Sequence, residues 1–287
     1  MKKIVGSILT ALVIGVIASC GPAKEEKKVT IAYVNWAEGV AMTQLSKALL
    51  EKEGYTVSLK NADVAPVFAA VAGGDADVFL DTWMPVTHKE YLEKFGPNLE
   101  VLGTNFKNAR IGFVVPDYVK INSIEDLNAN AALFDGKIVG IDAGAGIMSK
   151  AEEAIKDYGL KLELQSASEA AMLAVLKKSI DAKKPVVITG WSPHYIFSTY
   201  KLKFLNDPKA VFGAVETIQT VANKKFVAAQ PKVAEFFRNF QLDEDELGSL
   251  MAALENNPNE KLAVVEWLGK HQELEMQLRS FIKSDKE

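Results

Sequence analysis

The chain has 287 residues, 48% hydrophobic and 24% charged, which is enough apolar material for one large or two medium domains with real cores. Its formal charge of −4 argues against a nucleic-acid partner, because neutralising phosphates needs a basic face. A single cysteine, Cys20, excludes an internal disulfide.

Lys2 and Lys3 followed by an apolar stretch from Ile4 to Ile17 form a targeting signal. That stretch is shorter than the roughly 20 residues a membrane-spanning helix needs. Ile17-Ala18-Ser19-Cys20 resembles the lipobox of bacterial lipoproteins, so residues 1–20 are expected to be a signal peptide and Cys20 the lipidated N-terminus of the mature protein. Residues 21–28 are short, charged and poor in apolar groups, as suits a flexible tether.

From Val29 onward, β-branched runs alternate with helical patterns. Strands are expected at 29–34, 55–62, 77–83, 110–116, 137–142, 160–167, 185–191 and 214–223. Helices are expected at 41–54, 66–74, 147–158 and 168–183, and from Pro231 to Lys283 the chain is helical. This alternation predicts an α/β fold on a mostly parallel sheet. Interruptions near 108 and 215 divide it into two lobes: residues 29–108 with 215–287, and residues 109–214.

In open α/β sheets ligands sit at the carboxyl ends of strands. Trp36, Trp83 and Trp191 each follow a predicted strand, whereas Trp267 lies at helical spacing with Val264 and Leu268 and is expected to pack in the core. Any one tryptophan at a strand end could be partly buried core; three together favour a shared aromatic site. Several indole faces around one point attract a diffuse cation, above all a quaternary ammonium. With a helix starting close to Glu38–Val40, the first-turn amides of Gly39 and Val40 are expected to hold an anion. Cation cage and anion nest together describe a zwitterion.

The segments NWAEGVAMT (35–43), DTWMPVTHKEY (81–91), GIDAGAGIM (140–148) and TGWSPHYIF (189–197) resemble, in that order, the substrate-binding proteins of ABC importers for glycine betaine, proline betaine and related osmoprotectants. The resemblance implies a two-lobed periplasmic-binding-protein-like fold of type II with the ligand between the lobes. It implies a trimethylammonium cage of Trp36, Trp83 and Trp191 and a carboxylate held by Gly39, Val40 and His194. The implied partners are the betaine, an ABC permease with its ATPase and, through Cys20, the outer face of the cell membrane. The pattern departs at Tyr195, where many members carry a second tryptophan, which leaves the choice of betaine open; choline and carnitine remain rivals.

Other chemistries fit less well. Ser192 and His194 invite a hydrolase, but a nucleophile elbow needs a glycine two residues after the serine and an N–H that Pro193 lacks. The expectation is therefore capture without catalysis and without a cofactor. An adhesive lipoprotein would bind no small molecule at all. Gly144 and Gly146 give only part of a dinucleotide loop and read as a structural turn that lets the lobes pack tightly. Asp75, Asp77 and Asp81 lack calcium-loop spacing and read as turn caps, and His88 and His271, without metal-spaced partners, are assigned to the surface or an interface.

Overall fold

The computed structural model describes residues 27–283. Cys20, the signal segment and most of the tether lie outside the described residues. The chain begins with β1 (Lys28–Tyr33), α1 (Ala37–Lys52), β2 (Thr56–Asn61), α2 (Val64–Gly73), β3 (Val78–Met84) and α3 (Lys89–Phe95). A long β4 (Leu99–Pro116) leads to β5 (Lys137–Val139), α4 (Gly146–Asp157), β6 (Glu163–Gln165), α5 (Glu169–Asp181), β7 (Ile188–Ser192), α6 (Ile196–Thr199) and β8 (Leu202–Phe204). The chain then returns through β9 (Glu216–Asn223) into α7 (Lys224–Ala229), α8 (Pro231–Asn239), α9 (Glu244–Glu255), α10 (Glu260–Lys270) and α11 (Gln272–Ser280).

The strands run in the order β2-β1-β3-β9-β4-β7-β5-β6, with β8 also on β4. At the outer ends the ladders are parallel, β1 with β2 and β3, and β5 with β6 and β7. The middle is antiparallel, because β4 and β9 carry the chain in opposite directions between the two ends. A mostly parallel sheet is therefore correct only for the flanks. The first lobe holds β1, β2, β3, β9 and the start of β4; the second holds the rest of β4 with β5 to β8. The change of partner falls inside β4: Leu99 to Ala109 pair with β9, Arg110 to Val114 with β7.

Each lobe has its own core. In the first, Leu45 and Leu49 of α1, Phe68 of α2 and Phe79 of β3 are fully buried, as are Phe236 and Phe237 of α8. In the second, Phe113, Ile138, Met172 and Ile188 are buried. The C-terminal helices pack on α1 of the first lobe. Trp267 is a packing residue there: it is buried, stacks on His271 with ring centres 3.9 Å apart and donates Nε1–H to Ser249 Oγ at 3.0 Å.

Candidate ligand site between the lobes

The connection after β1 and the C-terminal ends of β3 and β7 bring Trp36, Trp83 and Trp191 to one cavity of about 280 Å³, at the place where the two lobes meet. All three indoles are buried, at 5%, 3% and 3% exposure. Trp36 is the N-cap residue of α1, and Trp83 and Trp191 stand on strands followed by the turns at Pro85 and Pro193. Ile111 of β4 and Ile141 after β5 complete the apolar walls.

Two indoles are held by carboxylates. Trp83 Nε1–H donates to Asp81 Oδ1 and Trp191 Nε1–H to Glu38 Oε2, each at 2.8 Å. Asp81 is thus no turn cap, and the Asp77 side chain is not one either: its Oδ2 accepts the N–H of Thr30 on β1 at 2.6 Å. Burial raises Asp81 to a pKa of about 7 and raises Glu38 well above the carboxylate range, in a region where neighbouring acids add to the effect.

Gly39, Val40 and His194 are not among the residues that line this cavity. Helix α1 begins at Ala37, earlier than the sequence suggested, so the Val40 N–H already donates to the Trp36 carbonyl at 2.8 Å. Gly39 packs on an acid: a Cβ there would stand 2.6 Å from Asp81 Oδ2. A carboxylate ligand at that helix end would meet a negative neighbour. The His194 ring has both nitrogens engaged, Nε2 with Glu169 Oε1 at 3.0 Å and Nδ1 with the Ile196 N–H at 3.2 Å. It stands edge-on to Trp191, ring centres 4.8 Å apart.

His88, which the sequence reading assigned to the surface or an interface, is 1% exposed and lines the cavity between the lobes. Its Nδ1 accepts the Trp83 N–H at 3.0 Å, so the proton of the neutral ring sits on Nε2. Burial lowers its pKa to about 3, so the ring is neutral at any ordinary pH. Nε2 has no hydrogen-bond partner among the described residues, and the ring stacks on Trp36 at 5.9 Å and 15°. The sequence signal was its place in the same motif as Trp83, five residues on. Thr87 beside it is fixed by Glu216, which accepts the Val86 and Thr87 N–H groups at 2.8 and 2.9 Å.

The start of α4 also lines the cavity, through Ala145, Gly146 and Ile147. The turn's own bonding begins with the Met148 N–H on the Ala145 carbonyl at 2.9 Å, which leaves the Gly146 and Ile147 amides at the positive end of a 12-residue helix. Glycine is required at 146 by proximity: a Cβ would come 2.1 Å from the Thr87 carbonyl oxygen of the other lobe. The loop read as a structural turn therefore forms part of the site.

Further bonds cross between the lobes around this cavity. The Ala37 N–H donates to Glu169 Oε2 at 3.2 Å and the Tyr91 hydroxyl to the Gly144 carbonyl at 2.8 Å. With the Trp191–Glu38 bond they hold the lobes closed.

Two lobes joined by paired crossing strands, with an aromatic cavity at the seam, define a solute-binding protein of the two-lobed, type II class. Residues 27–270 match the substrate-binding domain of ABC-type glycine betaine transport systems (OpuAC), and the chain belongs to that family. Among curated proteins it is 39% identical over 134 residues to the glycine betaine/carnitine transport binding protein GbuC of Listeria monocytogenes, a match covering 46% of this chain and 45% of GbuC. Among solved structures it is similar to lactococcal OpuAC in its closed, glycine betaine-bound form, with 34% identity and a TM-score of 0.83, covering 90% of this chain and all of that one. It is likewise similar to the glycine betaine/L-proline-binding protein ProX of Borrelia burgdorferi, with 32% identity, a TM-score of 0.84 and the same coverage.

Proposed function

We propose that this protein captures glycine betaine, or a closely related zwitterion, outside the cytoplasmic membrane and delivers it to an ABC permease. The trimethylammonium group occupies the space among Trp36, Trp83 and Trp191. The carboxylate takes the His88 Nε2–H and the Gly146 and Ile147 amides. The single observation that carries the reading is the make-up of one cavity: three indoles line it together with a neutral histidine whose Nε2–H has no partner among the described residues and the first turn of α4.

Cation–π contacts of roughly 1–2 kcal/mol each when desolvated, with charge-assisted hydrogen bonds of roughly 1.5–3 kcal/mol each, make an affinity near 1 µM, about −8 kcal/mol, attainable after the ordering cost. Closure is the transport signal: Trp191 comes from the second lobe and Trp36 and Trp83 from the first, so a ligand touching all three shifts the population towards the closed shape that a permease can grip. The change of partner within β4 supports placing the lobe boundary near residues 108–110.

No bond breaks in this scheme. A Ser192 hydrolase would need His194 as base, and both ring nitrogens of His194 are taken. Choline is the weaker candidate because it has no carboxylate and would leave His88 and the α4 amides unpaired. Calorimetric titration with glycine betaine, proline betaine, carnitine, choline and proline is expected to rank the first two highest, with no product formed by mass spectrometry. A response to none of them, or to proline alone, refutes the reading.

A further inference from the structure

The negative groups of the site lie behind the aromatic rings. Asp81 and Glu38 are each 1% exposed, and each accepts the N–H of one cage indole. Asp81 Oδ2 has no hydrogen-bond partner among the described residues, and Glu38 borders the cavity itself. The charges bearing on the pair are acidic: each other, and Glu169 from α5. The remaining ionisable groups packed close by are His88, against Trp36 and fastened to Trp83, and His194, edge-on to Trp191. A buried carboxylate without a cation beside it is among the costliest arrangements in a folded protein. Two of them on the rings of one cavity call for a positive guest.

We propose that Glu38 and Asp81 are the selectivity determinants of this site, supplying the counter-charge that distinguishes a permanently charged nitrogen from an uncharged group of the same shape. Asp81 acts as a positioning residue through Trp83, and Glu38 acts both through Trp191 and at the cavity wall. A carboxylate that accepts an indole N–H aims the ring and pushes electron density onto its face, where the cation sits. The inference rests on the betaine reading above and adds a source of selectivity that shape and the indole faces alone do not provide.

Burial holds both carboxyls towards the protonated state, Asp81 at about 7 and Glu38 well above the ordinary carboxylate range. A cation entering the cage favours the ionised form, so the carboxyl O–H bond breaks, its electron pair stays on oxygen and the proton leaves to solvent. Cation affinity therefore rises with pH through this range and is lost as pH falls.

The test compares glycine betaine with 3,3-dimethylbutanoate, in which a tert-butyl group replaces the trimethylammonium and the carboxylate is kept. Both are titrated calorimetrically into the whole protein and its E38Q and D81N variants. Glutamine and asparagine keep an oxygen acceptor for the indole but remove the charge. Each variant is expected to bind betaine about tenfold or more weakly, to bind the carbon analogue within about threefold of the parent, and to melt no lower than the parent because a buried acid is gone. In the unsubstituted protein the betaine-to-analogue affinity ratio is expected to rise between pH 5.5 and 8, with proton release seen in buffers of differing ionisation enthalpy. That arm needs no variant, so a substitution that fails to fold leaves the proposal exposed to refutation. Equal losses for both ligands, no loss for betaine, or a ratio flat in pH overturns it. A parent protein that binds no quaternary ammonium at all refutes the betaine reading instead.

Discussion

Trp83 and His88 stand five residues apart in one motif and are fastened twice, the His88 N–H to the Trp83 carbonyl at 3.0 Å and the Trp83 N–H to His88 Nδ1 at 3.0 Å. The second bond fixes the tautomer that a carboxylate ligand needs. Replacing His88 by alanine is expected to weaken betaine binding about tenfold or more, one charge-assisted hydrogen bond, while choline binding changes little; parallel titrations check this. Alanine in place of Trp191 or Trp83 is expected to weaken betaine and choline together, about tenfold or more. Stability against pH separates two buried groups. His88 has a folded pKa of about 3, so as pH falls from about 6.5 the unfolded chain takes up a proton that the folded one refuses, and stability drops. Asp81 has a folded pKa of about 7, so its protonated form favours folding at low pH and that contribution is lost as pH rises through 7. The melting temperature of D81N relative to the parent is therefore expected to rise between pH 4 and pH 8. Three tryptophans behind three strands were legible because strand ends are where ligands sit. His88 was not, because a lone histidine carries no burial signal and its role depends on a bond to a backbone five residues away.

Helix starts decide which amides are free, and here the sequence pattern placed one start too late. The apolar spacing of 41–54 marks where α1 becomes amphipathic, but the helix begins at Ala37, because Trp36 is extended and Glu38 continues the turn. That shift consumes the Val40 amide and leaves α4 as the helix whose end meets the cavity. Gly146→Ala is expected to prevent full closure, since the new methyl group meets the Thr87 carbonyl; betaine affinity falls about tenfold or more while the melting temperature of the unliganded protein moves little. The contacts across the seam predict a kinetic effect of a different kind. With Tyr91→Phe or Glu169→Gln the cage stays intact but a lobe-to-lobe bond is lost or weakened, so stopped-flow fluorescence is expected to show faster ligand release with little change in the association rate. Strand β4 was only half visible: residues 99–109 include Gly103, Thr104, Asn105 and Asn108, polar or flexible enough to read as a loop, and they extend because β9 lies alongside with its register shifted three times.

For the molecule as a whole, alternating strands and helices were enough to reveal two α/β lobes but not the antiparallel middle, which depends on where the chain goes after residue 215 rather than on any local pattern. Attachment to the membrane through Cys20 remains a proposal about residues outside the described structure. Cys20→Ser is expected to release the protein from the membrane fraction and abolish labelling by a fatty-acid probe, with betaine affinity unchanged because the site begins at Trp36; fractionation and titration together check this.

The placement of β9 between β3 and β4 imposes an order in time. Every strand of the second lobe lies between residues 110 and 204, whereas the sheet of the first lobe has a gap until residues 216–223 arrive. A chain threading out of the cell N-terminus first can therefore assemble its inserted half before the half that encloses it. On dilution from denaturant, pulsed hydrogen exchange should protect the amides of β5 and β7 no later than those of β9; late protection of β5 and β7 would show that the inserted half depends on its host.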